Sequence, residues 1–139
     1  MVTNDLKTLS LANFAGKTII LNIFPSIDTS TCATSVRKFN ESAAALPNVS
    51  VICVSRDLPF AHKRFCGAEG IENVITASDF RDGSFGKAYG VEIIDGIFRG
   101  LHARAVVVIG NQKILYSELV ADIAAEPDYE SALNAANGI

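Results

Sequence analysis

Apolar runs and helix-like spacings alternate along the chain. Three runs are typical of buried parallel strands, namely Lys17–Phe24, Val49–Val54 and Asn73–Ala77. After the first run, apolar residues recur at steps of four and three, which places them on one face of a helix. These residues are Cys32, Val36, Phe39, Ala43 and Leu46. The pattern predicts a strand, a helix and then another strand.

Two further helices are predicted from proline and glycine. Pro59 suits the first turn of a helix, and Gly67, just past Cys66, predicts where that helix ends. The segment "DGSFGKAYG" predicts a short helix between glycines.

The pattern changes in the last third of the chain. Ala103–Ile109 and Gln112–Leu119 flank Gly110-Asn111, a pair typical of a two-residue hairpin turn, and a last helix is predicted over Asp128–Ala136. Parallel strands with right-handed crossovers, followed by an antiparallel hairpin, predict an α/β fold of three layers. A mixed central sheet flanked by helices is the thioredoxin-like arrangement.

The length of 139 residues is typical of a single domain, which we expect to cover residues 1–139. The apolar fraction of 49% is enough to bury a core and excludes intrinsic disorder. The net charge is −3 and the twelve basic residues are scattered, so we expect neither a nucleic-acid nor an anionic-membrane partner. No run approaches the roughly 18 apolar residues of a membrane span. The N-terminus lacks the basic and apolar regions of a signal peptide, which favours the cytoplasm.

The three cysteines are Cys32, Cys53 and Cys66. An odd number without a signal peptide favours catalytic or redox thiols over a secreted disulfide framework. A zinc site built from Cys53, His62 and Cys66 is an alternative, although the spacing matches no structural zinc pattern. A general thiol–disulfide oxidoreductase is a further alternative, which the lack of a C-x-x-C pair disfavours.

The stretch "FPSIDTSTCATS" places Cys32 in the opening turn of the first helix, with Thr29 or Ser30 as its cap. A helix N-terminus offers unpaired N–H groups and about half a positive charge, and both favour a thiolate. The alternative is that Cys32 is only a small buried residue of the apolar stripe. Position alone does not decide between the two.

Ionisation alone would not make Cys32 a fast nucleophile. A thiol with a pKa of ~8.5 is about 3% ionised at pH 7. Lowering that pKa to ~6 raises the thiolate fraction roughly thirtyfold but lowers intrinsic nucleophilicity roughly tenfold. A catalytic site would therefore also need donors aimed at the breaking bond.

Arg104 is the candidate donor, because it opens a strand whose other residues are apolar. Arginine is seldom buried without a partner, and an anion or thiolate would provide one. The alternative is that Arg104 extends from the strand edge into solvent. Likewise, Thr29 could be only a helix cap and Pro25 could only end the strand.

"PSIDTSTC" fits the peroxiredoxin pattern Pro-x-x-x-Thr-x-x-Cys through Pro25, Thr29 and Cys32. Further segments match in the same order: "RFCGAEGIENV", "SFGKAYGVEI", "GLHARAVVV" and "LYSELV…EPDYESAL". From about Leu11 to Leu133 the chain resembles the bacterial thiol peroxidases, which are atypical two-cysteine peroxiredoxins.

The resemblance implies a thioredoxin-like fold and the reduction of hydrogen peroxide and organic hydroperoxides, with no cofactor or metal. It makes Cys32 the peroxidatic cysteine, which attacks the peroxide. Thr29 and Arg104 would hold and polarise this cysteine together with the peroxide, and Pro25 would shield it from water.

The resemblance also makes Cys66 the resolving cysteine, which forms a Cys32–Cys66 disulfide within one chain. Thioredoxin would then reduce this disulfide, and family members usually act as homodimers. Cys53 matches a third family cysteine with no required catalytic step. Its position in the middle of the strand "VICVS" independently indicates an inert buried thiol.

The chain departs from the family at two places. Family members usually begin with a further segment that folds as a hairpin before the position of Val2, and this segment is expected to be absent here. Proline is common after the motif threonine, where this chain has Ser30. We expect little consequence from Ser30, because serine also suits a helix start.

The predicted topology separates the two cysteines. Both helices start at the same sheet edge, and about eight residues of helix place Cys66 roughly 12 Å further along. A disulfide needs Cα atoms closer than about 7 Å, so we expect local unwinding on oxidation. The alternative function is a redox sensor or thiol-switch binding module with little peroxide turnover.

Overall fold

The computed structural model, which describes residues 1–138, contains six strands and four α-helices. In chain order the elements are β1 (Val2–Thr3), a 3₁₀ helix (Leu11–Phe14), β2 (Thr18–Ile23), α1 (Ser30–Ala43), β3 (Val49–Ser55), α2 (Pro59–Glu69), β4 (Ile75–Ser78), α3 (Ser84–Tyr89), β5 (Ala105–Gly110), β6 (Lys113–Leu119) and α4 (Tyr129–Ala136). No helix within this range has the length and apolar character needed to cross a membrane.

The strands form one mixed sheet in the order β1-β4-β3-β2-β5-β6. β2, β3 and β4 run parallel, whereas β5 is antiparallel to both β2 and β6. The predicted parallel portion and terminal hairpin are therefore confirmed. The sequence pattern missed β1, which pairs with β4, and the 3₁₀ helix. A two-residue strand is too short to produce a periodic signal.

Successive residues of the central strands point to opposite faces of the sheet. Ile20 and Val106 contribute to a core that includes α1, α2 and α4 residues, while Leu21 and Val107 belong to a second core on the other face. Phe85 of α3 is part of that second core, and Leu11 of the 3₁₀ helix packs against it. This division confirms the predicted three-layer, thioredoxin-like arrangement.

Two predicted turn positions are wrong. The second helix does not end at Gly67 but continues to Glu69, and Gly70 with φ of 65° terminates it. The hairpin loop is Asn111-Gln112 rather than Gly110-Asn111, because Gly110 still pairs with Lys113. Both loop residues have positive φ, 50° and 61°, as a two-residue type I′ turn requires. The predicted short helix is α3, which Gly83 and Gly90 flank.

The sheet topology determines which residues meet at one edge. Ile23, the last residue of β2, pairs with Ala105, the first residue of β5. The residue before β5 therefore lies beside the chain that leaves β2 toward α1. This antiparallel pairing brings Arg104 to the turn that carries Cys32.

Candidate active site

Cys32 is the third residue of α1, in the first helical turn as predicted. Thr29 occupies the N-cap position with extended backbone, but its side chain makes no capping hydrogen bond. Its hydroxyl instead donates to the carbonyl of Ser26 at 3.1 Å. The N–H groups of the first turn have no helical carbonyl to bond, so they remain available for an anion.

The sulfur of Cys32 is fully buried and accepts a hydrogen bond from Nη2 of Arg104 at 3.3 Å. A guanidinium donates charge-assisted hydrogen bonds to an anionic sulfur or oxygen. Burial in the apolar stripe alone would not bring such a donor to the sulfur. The contact therefore favours the chemical interpretation of Cys32 over the packing one.

Arg104 is 2% exposed, so it does not extend into solvent. Its Nε and Nη2 both donate to the carbonyl of Ile123, at 3.0 and 2.8 Å, which orients the guanidinium. The remaining nitrogen, Nη1, is buried without a hydrogen-bond partner among residues 1–138. Leaving a buried donor unpaired costs free energy, which an oxygen atom of a bound ligand would recover.

A pocket of about 250 Å³ lies at this point of the sheet edge. It is lined by Pro25, Thr29, Ser30, Thr31, Phe98, Arg104, Ile123 and Ala124. The Thr29 hydroxyl donates its one hydrogen bond to the Ser26 carbonyl. The lone pairs of the hydroxyl oxygen therefore remain as acceptors for a ligand O–H. The pocket thus combines a few polar groups with apolar walls, as small-molecule sites do.

Several lining residues were not found by sequence reasoning. Ile123 acts through its backbone carbonyl, and the carbonyl of Ala124 accepts a hydrogen bond from the Thr31 hydroxyl at 3.2 Å. Both lie in the loop between β6 and α4, where a carbonyl leaves no signature in side-chain chemistry. Phe98 lies in the loop before β5, and no spacing pattern marked it.

Cys66 lies in the last turn of α2 and is partly buried, and burial raises the pKa of its thiol. Cys32 and Cys66 are both free thiols, so the structure does not join the predicted disulfide pair. Cys53 is fully buried on β3. Desolvation raises its pKa to about 12, against a smaller opposite effect of a hydrogen bond from Asn22. A thiol of this kind is inert at neutral pH.

The two histidines occupy separate hydrogen-bond networks. His62 bonds Ser55 at 2.8 Å, and His102 bonds Asp79 at 2.9 Å. Within residues 1–138 no group of three metal-ligating side chains is placed to hold an ion.

Comparison with known proteins shows the family to which the chain belongs. The family model described as Redoxin matches residues 1–133. The chain therefore belongs to the Redoxin family, and within it to the thiol peroxidases, enzymes that reduce peroxides with thiols.

The individual similarities are extensive. The chain is 61% identical to the thiol peroxidase of Mycobacterium bovis over 132 residues, which cover 94% of this chain and 79% of the relative. A peroxiredoxin-like protein from Aquifex aeolicus superposes with a TM-score of 0.90 and 40% identity, covering 99% of this chain and 80% of that one. The thiol peroxidase from Chromobacterium violaceum superposes with a TM-score of 0.88 and 20% identity, covering 99% of this chain and 80% of that one. At this identity the similarity is evidence of a shared fold only.

Proposed function

We propose that the chain reduces hydrogen peroxide and organic hydroperoxides through a sulfenic acid on Cys32. The observation that carries this proposal is the position of Arg104. Its Nη2 contacts the Cys32 sulfur, and its Nη1 is buried without a hydrogen-bond partner among residues 1–138. Arg104 also lines the pocket. A single guanidinium can thus stabilise both the attacking sulfur and a peroxide oxygen.

In the first step, the Cys32 thiolate attacks one oxygen of the peroxide and the O–O bond breaks. The sulfur is oxidised to a sulfenic acid, and the other oxygen leaves as water or an alcohol after taking a proton. Thr29 accepts a hydrogen bond from the peroxide O–H, which orients the molecule for attack. The buried ring of Pro25 restricts water access to the sulfur.

In the second step, Cys66 attacks the sulfenic sulfur, a Cys32–Cys66 disulfide forms and water is released. A reduced thioredoxin then exchanges its dithiol for this disulfide and returns both cysteines to thiols. We expect the C-terminal turn of α2 to open for this step, because Cys32 lies in the first turn of α1, whereas Cys66 is the eighth residue of α2. Seven residues of helix span roughly 10 Å, which is more than the Cα separation of about 7 Å that a disulfide allows.

A homodimer is the proposed assembly. The loop before β5 exposes apolar residues, with Ile94 78% and Ile97 94% exposed. Neighbouring Phe98 lines the pocket, so a second copy on this loop would border the active site. Sedimentation velocity of the wild type and of Ile97→Asp tests this. A monomeric wild type at tens of micromolar, where we expect a dimer, would contradict it.

The experiment that tests the activity is steady-state peroxide consumption coupled to thioredoxin, with Cys32→Ser compared with Cys53→Ala. We expect turnover by the wild type and Cys53→Ala, and none by Cys32→Ser. Retained turnover in Cys32→Ser would reject the assignment. Stoichiometric oxidation of Cys32 without turnover would instead support a redox sensor.

A further inference from the structure

The carboxylate of Asp57 joins β3 to the turn between β2 and α1, at the active-site edge. It lies between β3 and α2, with a side chain 12% exposed. Oδ1 accepts from the Ser26 hydroxyl at 2.7 Å, and Oδ2 accepts from the N–H of Ile27 at 2.8 Å and from the Ser55 hydroxyl at 2.5 Å. Ser26 and Ile27 belong to the turn between β2 and α1.

The bonds to Ser26 continue toward the pocket. The Ser26 carbonyl accepts hydrogen bonds from both the backbone N–H of Thr29 at 3.2 Å and its hydroxyl at 3.1 Å. The position of Ser26 therefore sets both the backbone and the hydroxyl direction of Thr29. Asp57 does not line the pocket, so any effect on the peroxide passes through the turn.

Buried groups on β3 and α2 also hold the Asp57 side chain in place. Ser55, which donates to the carboxylate, also bonds His62 of α2 at 2.8 Å, and both of these side chains are fully buried. Burial raises the pKa of Asp57, but the His62 ring nitrogen 3.7 Å away, together with hydrogen bonds from Ser55, Ile27 and Ser26, outweighs it and lowers the pKa to about 2. The side chain is therefore a fixed anion at neutral pH.

The position of Asp57 requires a side chain that only accepts hydrogen bonds, which an ionised carboxylate provides. Three donors converge on its two oxygens, and an ionised carboxylate only accepts hydrogen bonds. An asparagine of nearly the same shape has one acceptor oxygen, and its amide hydrogens would face donors.

We propose that Asp57 is a positioning residue for peroxide reduction, which holds Thr29 at the pocket through Ser26 and Ile27. The inference rests on the proposed function, because Thr29 is there the group that orients the peroxide. Asp57 itself touches neither the peroxide nor the sulfur.

A second buried carboxylate provides a matched control. Asp79 is 3% exposed and accepts bonds from the N–H groups of Phe85 and Gly86 at 3.1 and 2.9 Å, and from His102. None of these partners lies in the turn before Cys32. Asp79→Asn therefore imposes a similar loss of buried hydrogen bonds without releasing Thr29.

The test is the second-order rate of Cys32 oxidation by hydrogen peroxide in Asp57→Asn, Asp79→Asn, Thr29→Ala and the Asp57→Asn/Thr29→Ala double variant. We expect Asp57→Asn to lower this rate about tenfold or more, because the peroxide loses one oriented contact. Asp79→Asn should lower the rate less than about twofold. In the Thr29→Ala background, Asp57→Asn should have little further effect, because the two residues act in series. Alkylation of Cys32 by iodoacetamide, which needs no Thr29, should stay near the wild-type rate.

Equal losses in Asp57→Asn and Asp79→Asn, additive losses in the double variant, or a parallel fall in alkylation would each overturn the proposal. If Asp57→Asn fails to fold, Ser26→Ala removes one of the same bonds and should also be non-additive with Thr29→Ala. A wild type whose Cys32 is not oxidised by peroxide would reject the proposed function itself, before any variant is compared.

Discussion

Nη2 of Arg104 lies 3.3 Å from the sulfur of Cys32, although 72 positions separate the two residues in the chain. The guanidinium is held by two hydrogen bonds to the Ile123 carbonyl and is almost fully buried. Such a donor does not need to reorganise when charge develops on the sulfur or on a peroxide oxygen, which is the condition for strong electrostatic stabilisation.

Arg104→Lys should slow the oxidation of Cys32 about tenfold to a hundredfold, because one or two charge-assisted hydrogen bonds are lost. An ammonium group cannot contact Ile123 and the sulfur with the same fixed geometry. Quenched flow with hydrogen peroxide, followed by mass spectrometry of Cys32, gives the rate. Arg81→Lys, which changes an exposed arginine, serves as the control and should keep the wild-type rate. A near-wild-type rate in Arg104→Lys would remove this residue from the mechanism.

Cys66→Ser should leave the first oxidation of Cys32 unchanged but block recycling by thioredoxin, because no disulfide can form. Mass spectrometry should then detect the sulfenic acid, trapped with a dimedone-type reagent. In the wild type, hydrogen exchange around both cysteines should increase on oxidation, since the proposed disulfide step opens the turns that carry the two sulfurs. Identical exchange in the two redox forms would contradict this opening.

Two glycines at the end of α2 should change the resolving step in opposite directions. Gly67 lies inside the helix with open space around its Cβ position, so Gly67→Ala stabilises the helix by about 1 kcal/mol. Gly70 has φ of 65°, where alanine is strained by about 1 kcal/mol. If α2 must unwind, Gly67→Ala should slow disulfide formation about fivefold and Gly70→Ala should accelerate it by a similar factor.

The rate of disulfide formation is measured by quenched flow with mass spectrometry, because the sequence has no tryptophan to provide a fluorescence signal. The first oxidation of Cys32 serves as the internal control and should be the same in both glycine variants. A resolving rate that is unaffected by both changes would mean that the end of α2 does not open before the disulfide forms.

The pH dependence of alkylation should distinguish Cys53 from a thiol of ordinary pKa. With a pKa of about 12 the thiol gains its charge only far above neutral pH. At pH 8 its thiolate fraction is about a thousandfold smaller than that of a thiol with a pKa of ~9. Iodoacetamide should therefore leave Cys53 unmodified in the native protein from pH 6 to 9 and modify it after denaturation. Native-state labelling that rises below pH 9 would contradict the burial of this residue.

The sequence was informative where one local pattern carried the signal. Apolar runs identified β2, β3 and β5. The steps of four and three identified the buried face of α1, although α1 ends at Ala43, before the predicted last position Leu46. The motif Pro25, Thr29, Cys32 lies in one short turn, so its members could be recognised together. Helix ends were less predictable, because Gly67 and Gly70 are the same residue type and only the backbone conformation selects Gly70.

The sequence by itself determined the strand and helix order and the position of Cys32 at a helix start, because hydrophobic periodicity and turn chemistry act between near neighbours. Only the tertiary structure decided that Arg104 is buried beside that sulfur, that Ile123 orients it and that Asp57 anchors the turn. These contacts join residues far apart in the chain through the antiparallel pairing of β2 with β5 and through loop carbonyls. Their geometry depends on how the elements pack, and no local pattern of residue types encodes it.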